Sequence, residues 1–221
     1  IIVFIGTVGA GKSTQIRLLA SRLRSRGMKV KTSFLKSGHL FACVLKVVLA
    51  KIVARGREDV YPIRVLIEKN PYLFRKLFRL WLSLDMLSIC IRFLLTIYLP
   101  MRIWDIVIVE EYIPATIADY IYLAKILGLS RSNFSLVVGF MLRLLQVGGP
   151  VKTIFLDCHN TILEKRWKRR GSPDEVSDYL QMQRTLLLFL AKRLSASFLY
   201  INTTDKSIKE THRKIVDYLM C

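Results

Sequence analysis

The stretch GTVGAGKST, at residues 6–14, decides the fold of this chain. An apolar run with the composition of a β-strand, IIVFI at residues 1–5, precedes it, and the pattern of an amphipathic helix follows. The spacing G-x-x-x-x-G-K-[ST] between a strand and a helix is that of a phosphate-binding loop, or P-loop. The sequence therefore predicts a protein that binds the phosphates of a nucleotide.

The residue types of this loop suit phosphate chemistry. Glycines let the backbone adopt left-handed or crowded conformations, so that its N–H groups converge on phosphate oxygens. The helix that follows adds the positive end of its dipole. Lys12 supplies a mobile ammonium for the β- and γ-phosphates, and the Ser13 hydroxyl is a ligand for Mg²⁺. The residues predicted to bind the donor nucleotide are Gly6, Thr7, Gly9, Ala10, Gly11, Lys12, Ser13 and Thr14.

Composition bounds the class of protein. A chain of 221 residues can bury a sizeable core and suits one α/β domain with insertions. Hydrophobic residues make up 52% of it, so we expect a large core, or apolar surface that meets a partner or a bilayer. The net charge of +19 favours polyanions, but no basic run is long enough to form a tail. A generally basic surface explains this charge at least as well as nucleic-acid binding does.

Cysteine spacing and the start of the sequence bear on the compartment. Cys43, Cys90, Cys158 and Cys221 show no C-x-x-C spacing, and we expect them to be reduced thiols of an intracellular protein. The apolar start leads directly into the P-loop and not into a cleavage site. We therefore expect no signal peptide and a cytoplasmic location.

Strand-like and helical patterns alternate along the rest of the chain. Apolar runs that predict four further strands lie at residues 28–35, 105–109, 151–156 and 197–201. Strands separated by helices form right-handed crossovers and pair in parallel. The pattern predicts a five-stranded parallel sheet with helices on both faces.

One segment is apolar enough to raise the question of a membrane. Residues 73–99 form a long apolar helical pattern, and about 20 such residues can span a bilayer. Asp85 and Arg92 lie in its second half on roughly one helical face, where charges inside a membrane would be costly. We therefore expect a buried core helix whose charged face could line a cleft.

The P-loop, an acidic end of the third strand and a basic helix after the fourth strand follow one another as in nucleoside monophosphate kinases. Over nearly its whole length the chain resembles this family, and within it the thymidylate kinases. The resemblance implies a P-loop NTPase three-layer sandwich with a small helical lid, forming a single domain over residues 1–221. It places a helical acceptor-site region at 36–101 and the lid at 162–176. ATP and Mg²⁺ as cofactors, nucleotide substrates and a homodimer packed through long apolar helices are implied as well.

The side-chain charge at the end of the third strand departs from the family pattern at one residue. It ends in Glu110-Glu111-Tyr112, where the family has Asp-Arg-Tyr. Glu110 keeps a carboxylate that can organise Mg²⁺, so we assign it catalytic and metal-binding roles. Glu111 replaces an arginine that handles phosphate, and a carboxylate there would repel phosphate.

The acceptor site departs from the pattern at a second residue. The family has an Asp-Arg pair on the long helix, and here Asp85 matches the acid whereas Met86 stands in place of the arginine. Arg92 is a candidate replacement, although an ion pair with Asp85 explains it equally well. A lone histidine is more often packed than a ligand, which leaves His39 open. The residues that the resemblance assigns to the acceptor are Lys36, His39, Asp85, Arg92 and Tyr112.

The basic helix after the fourth strand corresponds to the lid. Arg166 and Arg170 are one helical turn apart, and we expect them to neutralise charge on the transferred phosphoryl group when the lid closes. They are therefore predicted to be catalytic together with Lys12 and Glu110. Residues 202–204 fall where the family's backbone surrounds adenine.

The leading prediction is an ATP-dependent phosphotransferase that acts on a nucleoside monophosphate, with dTMP as the expected acceptor. A nucleoside kinase or other small-molecule kinase of the same fold stays open, because it has no need to clamp an acceptor phosphate. A non-catalytic ATP-binding module also stays open, although the lid arginines count against it. Nucleic acid is not an expected partner, because basic and aromatic residues do not interleave as in binding stretches. A membrane is not expected either.

Overall fold

Five parallel strands form the centre of the protein. The computed structural model describes residues 1–54, 66–67, 70–130, 134–170 and 177–220, with the backbone alone at residues 54, 170 and 177–179. The sheet has the strand order β2-β3-β1-β4-β5, and every neighbouring pair is parallel. The strands are β1 (Ile2–Gly6), β2 (Val30–Leu35), β3 (Ile106–Glu111), β4 (Lys152–Asp157) and β5 (Ser197–Asn202).

Helices connect the strands and cover both faces of the sheet, which confirms the predicted fold class. Adjacent residues of β1 show the layering, because Val3 belongs to one buried cluster and Phe4 to another. The helices are α1 (Lys12–Arg24), α2 (Leu40–Ala54), α3 (Pro71–Phe93), α4 (Ile113–Ile126), α5 (Ser135–Val147), α6 (Asn160–Arg170), α7 (Ser177–Leu194) and α8 (Ile208–Met220).

Strand order decides where functional side chains meet. The P-loop follows β1 at the centre of the sheet, and β3 pairs with β1 so that Phe4 lies opposite Glu110. The acidic end of β3 therefore lies beside the P-loop. The carboxyl ends of β2 and β4 flank this region, as expected for a parallel α/β sheet whose ligands bind at that edge.

Helix α3 begins at a capping residue and is followed by a π-helical turn and a 3-10 turn. The Asn70 side chain accepts a hydrogen bond from the Leu73 N–H at 3.0 Å, and Pro71 occupies the first turn. A π-helical turn (Leu94–Tyr98) and a 3-10 turn (Pro100–Arg102) follow. Among the described residues, this one stretch of helix, Pro71–Arg102, is long and apolar enough to cross a membrane.

The packing of α3 bears on the membrane question. One face of the helix is in the core, where Phe74, Phe78 and Trp81 are at most 1% exposed, as expected for a core helix. Only 39% of the most apolar window is buried, however, and Leu80 and Leu87 on α3 are about half exposed. Helix α2 also exposes apolar side chains, including Val44 and Ile52. Part of the excess apolar composition therefore lies on the surface of these two helices.

Candidate active site

The P-loop joins the central strand to α1 through a close backbone approach. Gly6 has φ +143°, and a Cβ atom there would lie 1.9 Å from the carbonyl oxygen of Leu156 on the neighbouring strand. Gly11 is the N-cap of α1, with φ 99°, and no side chain of the described residues caps the helix. The first N–H groups of α1 are therefore available to an anion, as nucleotide phosphates require.

Lys12 lies inside the loop and contacts the carboxylate of Glu111, which is predicted to repel phosphate. Its Nζ donates to the carbonyl oxygens of Gly6 (2.8 Å) and Thr7 (3.0 Å). The same atom lies 3.0 Å from Glu111 Oε1, and both side chains are 5% exposed. The P-loop lysine thus forms a buried ion pair with Glu111.

Ser13 meets the neighbouring carboxylate. Its hydroxyl donates to Glu110 Oε1 at 2.8 Å. Side chains alternate along a strand, but Glu111 adopts a left-handed conformation (φ 69°) as β3 ends, and both glutamates reach consecutive residues of the P-loop. Hydroxyl and carboxylate oxygens are the ligands that Mg²⁺ prefers, so Ser13 and Glu110 fit this ion.

Helix α6 packs directly on the P-loop. Arg166 Nη1 donates to the carbonyl oxygen of Gly9 (2.9 Å), and the indole N–H of Trp167 donates to that of Val8 (3.1 Å). This contact places Arg166 beside the backbone of the P-loop. The side chain of Arg170 and lid residues 171–176 lie outside the described residues, so their roles stay predictions.

The acceptor region contains a carboxylate that supports the backbone. Asp85 is fully buried and accepts hydrogen bonds from the Gly38 N–H (2.7 Å) and the Tyr120 hydroxyl (2.7 Å). Burial raises the pKa of Asp85 to about 6, although both hydrogen bonds lower it. In this structure Asp85 holds the turn after β2 rather than lining an open cleft with Arg92.

Two cations of the acceptor region, Arg92 and Lys36, have protein partners. Arg92 Nη2 donates to the carbonyl oxygen of Phe34 at 2.6 Å, and Lys36 Nζ lies 4.0 Å from Asp119 Oδ2. Burial, with smaller contributions from Arg92, Lys46 and Lys36, lowers the pKa of His39 to about 4, so its imidazole is neutral near pH 7. A neutral His39 can form hydrogen bonds but carries no charge for a phosphate.

The ring of Tyr112 lies in the core. It is 1% exposed, and a Cβ atom on Gly148 would lie 2.5 Å from its hydroxyl oxygen. Burial raises the pKa of this phenol above its ordinary value. In this structure the Tyr112 ring is in the core. A contact of Tyr112 with the acceptor stays a prediction.

Three groups of contacts were not anticipated from the sequence. Asp119 accepts from the Ser37 hydroxyl at 2.7 Å, on the acceptor side. Arg184 donates to Asp157 Oδ1 at 2.9 Å, where β4 ends. Thr203 Oγ1 donates to the Ala10 carbonyl oxygen at 3.2 Å and so reaches the P-loop. The polar residues at the ends of β4 and β5 were the available signal for the last two.

We expect the neutral variant Asp85→Asn to change how stability depends on pH. The folded protein holds the Asp85 proton more tightly than the unfolded chain, since the pKa rises from 3.8 to about 6. The wild-type free energy of unfolding should therefore fall as pH rises through this window, by about 3 kcal/mol from this group. The variant should lack this decline. Urea denaturation at intervals from pH 4 to pH 7 measures the difference.

A second variant that also replaces one aspartate with asparagine controls for the change in net charge. Asp217→Asn removes an exposed carboxylate on α8. Equal pH dependence of wild type and Asp85→Asn would show that Asp85 is not buried as described.

The strand order and the P-loop define an α/β protein of the P-loop NTPase class. No family model matches the chain. A thymidylate kinase from Desulfotalea psychrophila is 62% identical over 34 residues, which span 15% of this chain and only 17% of that protein. The crystal structure of thymidylate kinase from Ehrlichia chaffeensis is similar with a TM-score of 0.52 and 17% identity, over 100% of this chain and 97% of that one. The chain therefore has a divergent, thymidylate kinase-like P-loop fold.

Proposed function

We propose that the protein is a kinase that transfers the γ-phosphoryl group of ATP to an acceptor of the nucleoside or nucleotide class. The observation that carries this proposal is the meeting of the P-loop with the acidic end of β3 and with α6. Lys12, Ser13, Glu110 and Arg166 lie in one small region, and each makes a hydrogen bond of 2.8 to 2.9 Å to the P-loop or within it. Phosphoryl transfer requires positioning and charge neutralisation, and these side chains can supply both.

Each residue has a distinct role in the proposed reaction. Lys12 and the loop amides hold the donor phosphates, and Ser13 with Glu110 provides oxygen ligands for Mg²⁺. Bound Mg²⁺ would neutralise part of the phosphate charge. Arg166 stabilises charge on the transferred group, with Arg170 one turn further along α6.

Two classes of acceptor compete. The names of the two similar proteins favour dTMP. A nucleoside, which has no phosphate group to bind, is the second candidate. The carboxylate of Glu111 lies beside the P-loop lysine, and Met86 supplies no positive charge at its position on α3. A cytoplasmic location and a homodimer also stay predictions, and the exposed apolar side chains of α2 and α3 are compatible with self-association.

A phosphoryl-transfer screen tests the proposed function. The purified protein is given Mg·ATP with the nucleoside monophosphates and then with the free nucleosides, and ADP formation is measured. We expect ADP and a phosphorylated product with at least one acceptor, and loss of both in Lys12→Ala. Nucleotide binding without transfer to any acceptor would contradict the kinase proposal and favour a binding module.

A further inference from the structure

Glu111 brings a buried negative charge to the reacting end of the P-loop. Its Oε1 atom is paired with Lys12 at 3.0 Å. Its Oε2 atom is also buried, and it has no hydrogen-bond partner among the residues that the structure describes. Buried carboxylate oxygens in folded proteins are normally hydrogen-bonded. The Oε2 atom of Glu111 can therefore accept a hydrogen bond from a ligand.

The backbone holds this carboxylate in place at a cost. Glu111 has φ 69°, in the left-handed region that costs a non-glycine residue about 1–2 kcal/mol. Pairing of Glu111 with Leu35 on β2 maintains the conformation, and the next N–H, of Tyr112, donates to the Leu35 carbonyl oxygen at 2.8 Å. Strain that neighbouring structure maintains is typical of functional sites.

Donor binding would remove the partner that Glu111 now has. The P-loop lysine binds the β- and γ-phosphates when a nucleotide is present. Once Lys12 turns to those phosphates, Glu111 becomes a buried carboxylate with no cation at Oε1 and no donor at Oε2. An unpaired buried charge is strongly unfavourable, so a hydrogen-bond donor is favoured beside it and a second anion is disfavoured.

Two cations of the acceptor region have partners away from the P-loop. Arg92 is bonded to the carbonyl oxygen of Phe34, and Lys36 lies near Asp119. Both therefore have partners on the β2 side of the site. Glu111 lies 3.0 Å from Lys12, so its charge acts on any acceptor atom that approaches the γ-phosphate.

Resting on the proposed function, we propose that the acceptor is an uncharged hydroxyl compound of the nucleoside class and that Glu111 binds its reacting hydroxyl group. The acceptor O–H donates to Glu111 Oε2. Its oxygen forms the new bond to the γ-phosphorus as the bond from that phosphorus to the β–γ bridging oxygen breaks. ADP leaves with the electron pair of that bond, and the hydroxyl proton passes to Glu111. A monophosphate acceptor already ionised at its attacking oxygen needs no such partner and is repelled by it.

The first test uses the wild-type protein in equilibrium binding. Calorimetry in the presence of Mg·ADP compares each deoxynucleoside with its own 5′-monophosphate. We expect at least one deoxynucleoside to bind tenfold or more tightly than its monophosphate. Tighter binding of the monophosphate in every pair would overturn the proposal, whatever the fate of any variant.

The second test uses Glu111→Gln, which keeps the shape of the side chain and removes its charge. We expect kcat with the deoxynucleoside to fall about 10²- to 10⁴-fold, as when a group that accepts a reacting proton is removed. Mg·ADP should bind at least as tightly as it binds to wild type, because Lys12 remains and no longer has to leave a buried carboxylate. Asp217→Asn controls for loss of a carboxylate far from the P-loop.

The outcomes separate this inference from the proposed function. If wild type phosphorylates monophosphates and Glu111→Gln does so equally well or faster, the kinase assignment stands and the hydroxyl acceptor is wrong. Equal losses with every acceptor, together with weaker Mg·ADP binding, would place Glu111 on the donor side and also overturn the inference. Absence of Lys12-dependent ATP consumption with all acceptors would remove the proposed function and the inference with it.

Discussion

Replacing Gly6 with alanine is expected to destabilise the protein by about 4 kcal/mol or to prevent folding. The added Cβ would lie 1.9 Å from the Leu156 carbonyl oxygen and 2.8 Å from its carbonyl carbon. These are backbone atoms of β4, which pairs with β1 along its length, so they cannot move without breaking the centre of the sheet. Urea or thermal denaturation of the purified variant measures the loss.

Gly11→Ala is the matched control for this substitution. Gly11 also has a positive φ, of +99°, but a Cβ atom there would meet nothing within 4 Å. The free energy of unfolding should therefore fall only by the cost of a left-handed alanine, about 1–2 kcal/mol. Similar losses in the two variants would show that β1 and β4 do not approach as closely as described.

Lys12→Met is expected to lower both phosphoryl transfer and stability. Loss of the ammonium removes a group that binds the transferred phosphoryl, and we expect kcat to fall at least 10²-fold. The substitution also leaves Glu111 buried without its cation, which should lower the free energy of unfolding by about 3 kcal/mol. Activity assays and chemical denaturation of the same preparation measure the two effects separately.

A double variant distinguishes the ion pair from general damage to the loop. In Lys12→Met/Glu111→Gln both charges are absent, so most of the lost stability should return while activity does not. If the double variant is as unstable as the sum of the two single variants, the buried ion pair does not stabilise the fold.

Local patterns accounted for much of the fold. The predicted strand at residues 1–5 is observed as Ile2–Gly6, and the one at residues 197–201 as Ser197–Asn202. Both are short apolar runs bounded by loop residues, so adjacent residues alone identify them as candidate strands. The P-loop was predicted for the same reason, since its glycines and Lys12 are close in sequence.

The arrangement of the site could not be predicted in the same way. The hydrogen bond between Ser13 and Glu110 joins residues 97 positions apart, and it exists because β3 pairs with β1. Hydrophobic patterns identify strands but do not state which strands are neighbours. The ion pair of Lys12 with Glu111 depends on this order as well and on a left-handed residue at the end of β3.

Helical spacing also does not show how deeply a side chain is buried. The spacing of Asp85 and Arg92 indicates one helical face that could line a cleft, and in the structure Asp85 is fully buried and accepts a hydrogen bond from the Gly38 N–H. Helical spacing places both on one face and does not reveal which neighbouring element covers that face. Here Tyr120 on α4 donates to Asp85 and completes its enclosure.

The contacts of α6 with the P-loop have a thermodynamic consequence. The side chains of Arg166 and Trp167 donate hydrogen bonds to carbonyl oxygens of the P-loop. The Thr203 hydroxyl donates to a third, that of Ala10. The loop is thus ordered on its outer side before any ligand arrives, and little conformational entropy is lost when phosphates bind. A preorganised loop of this kind discriminates between ligands by geometric fit more than by adapting its shape.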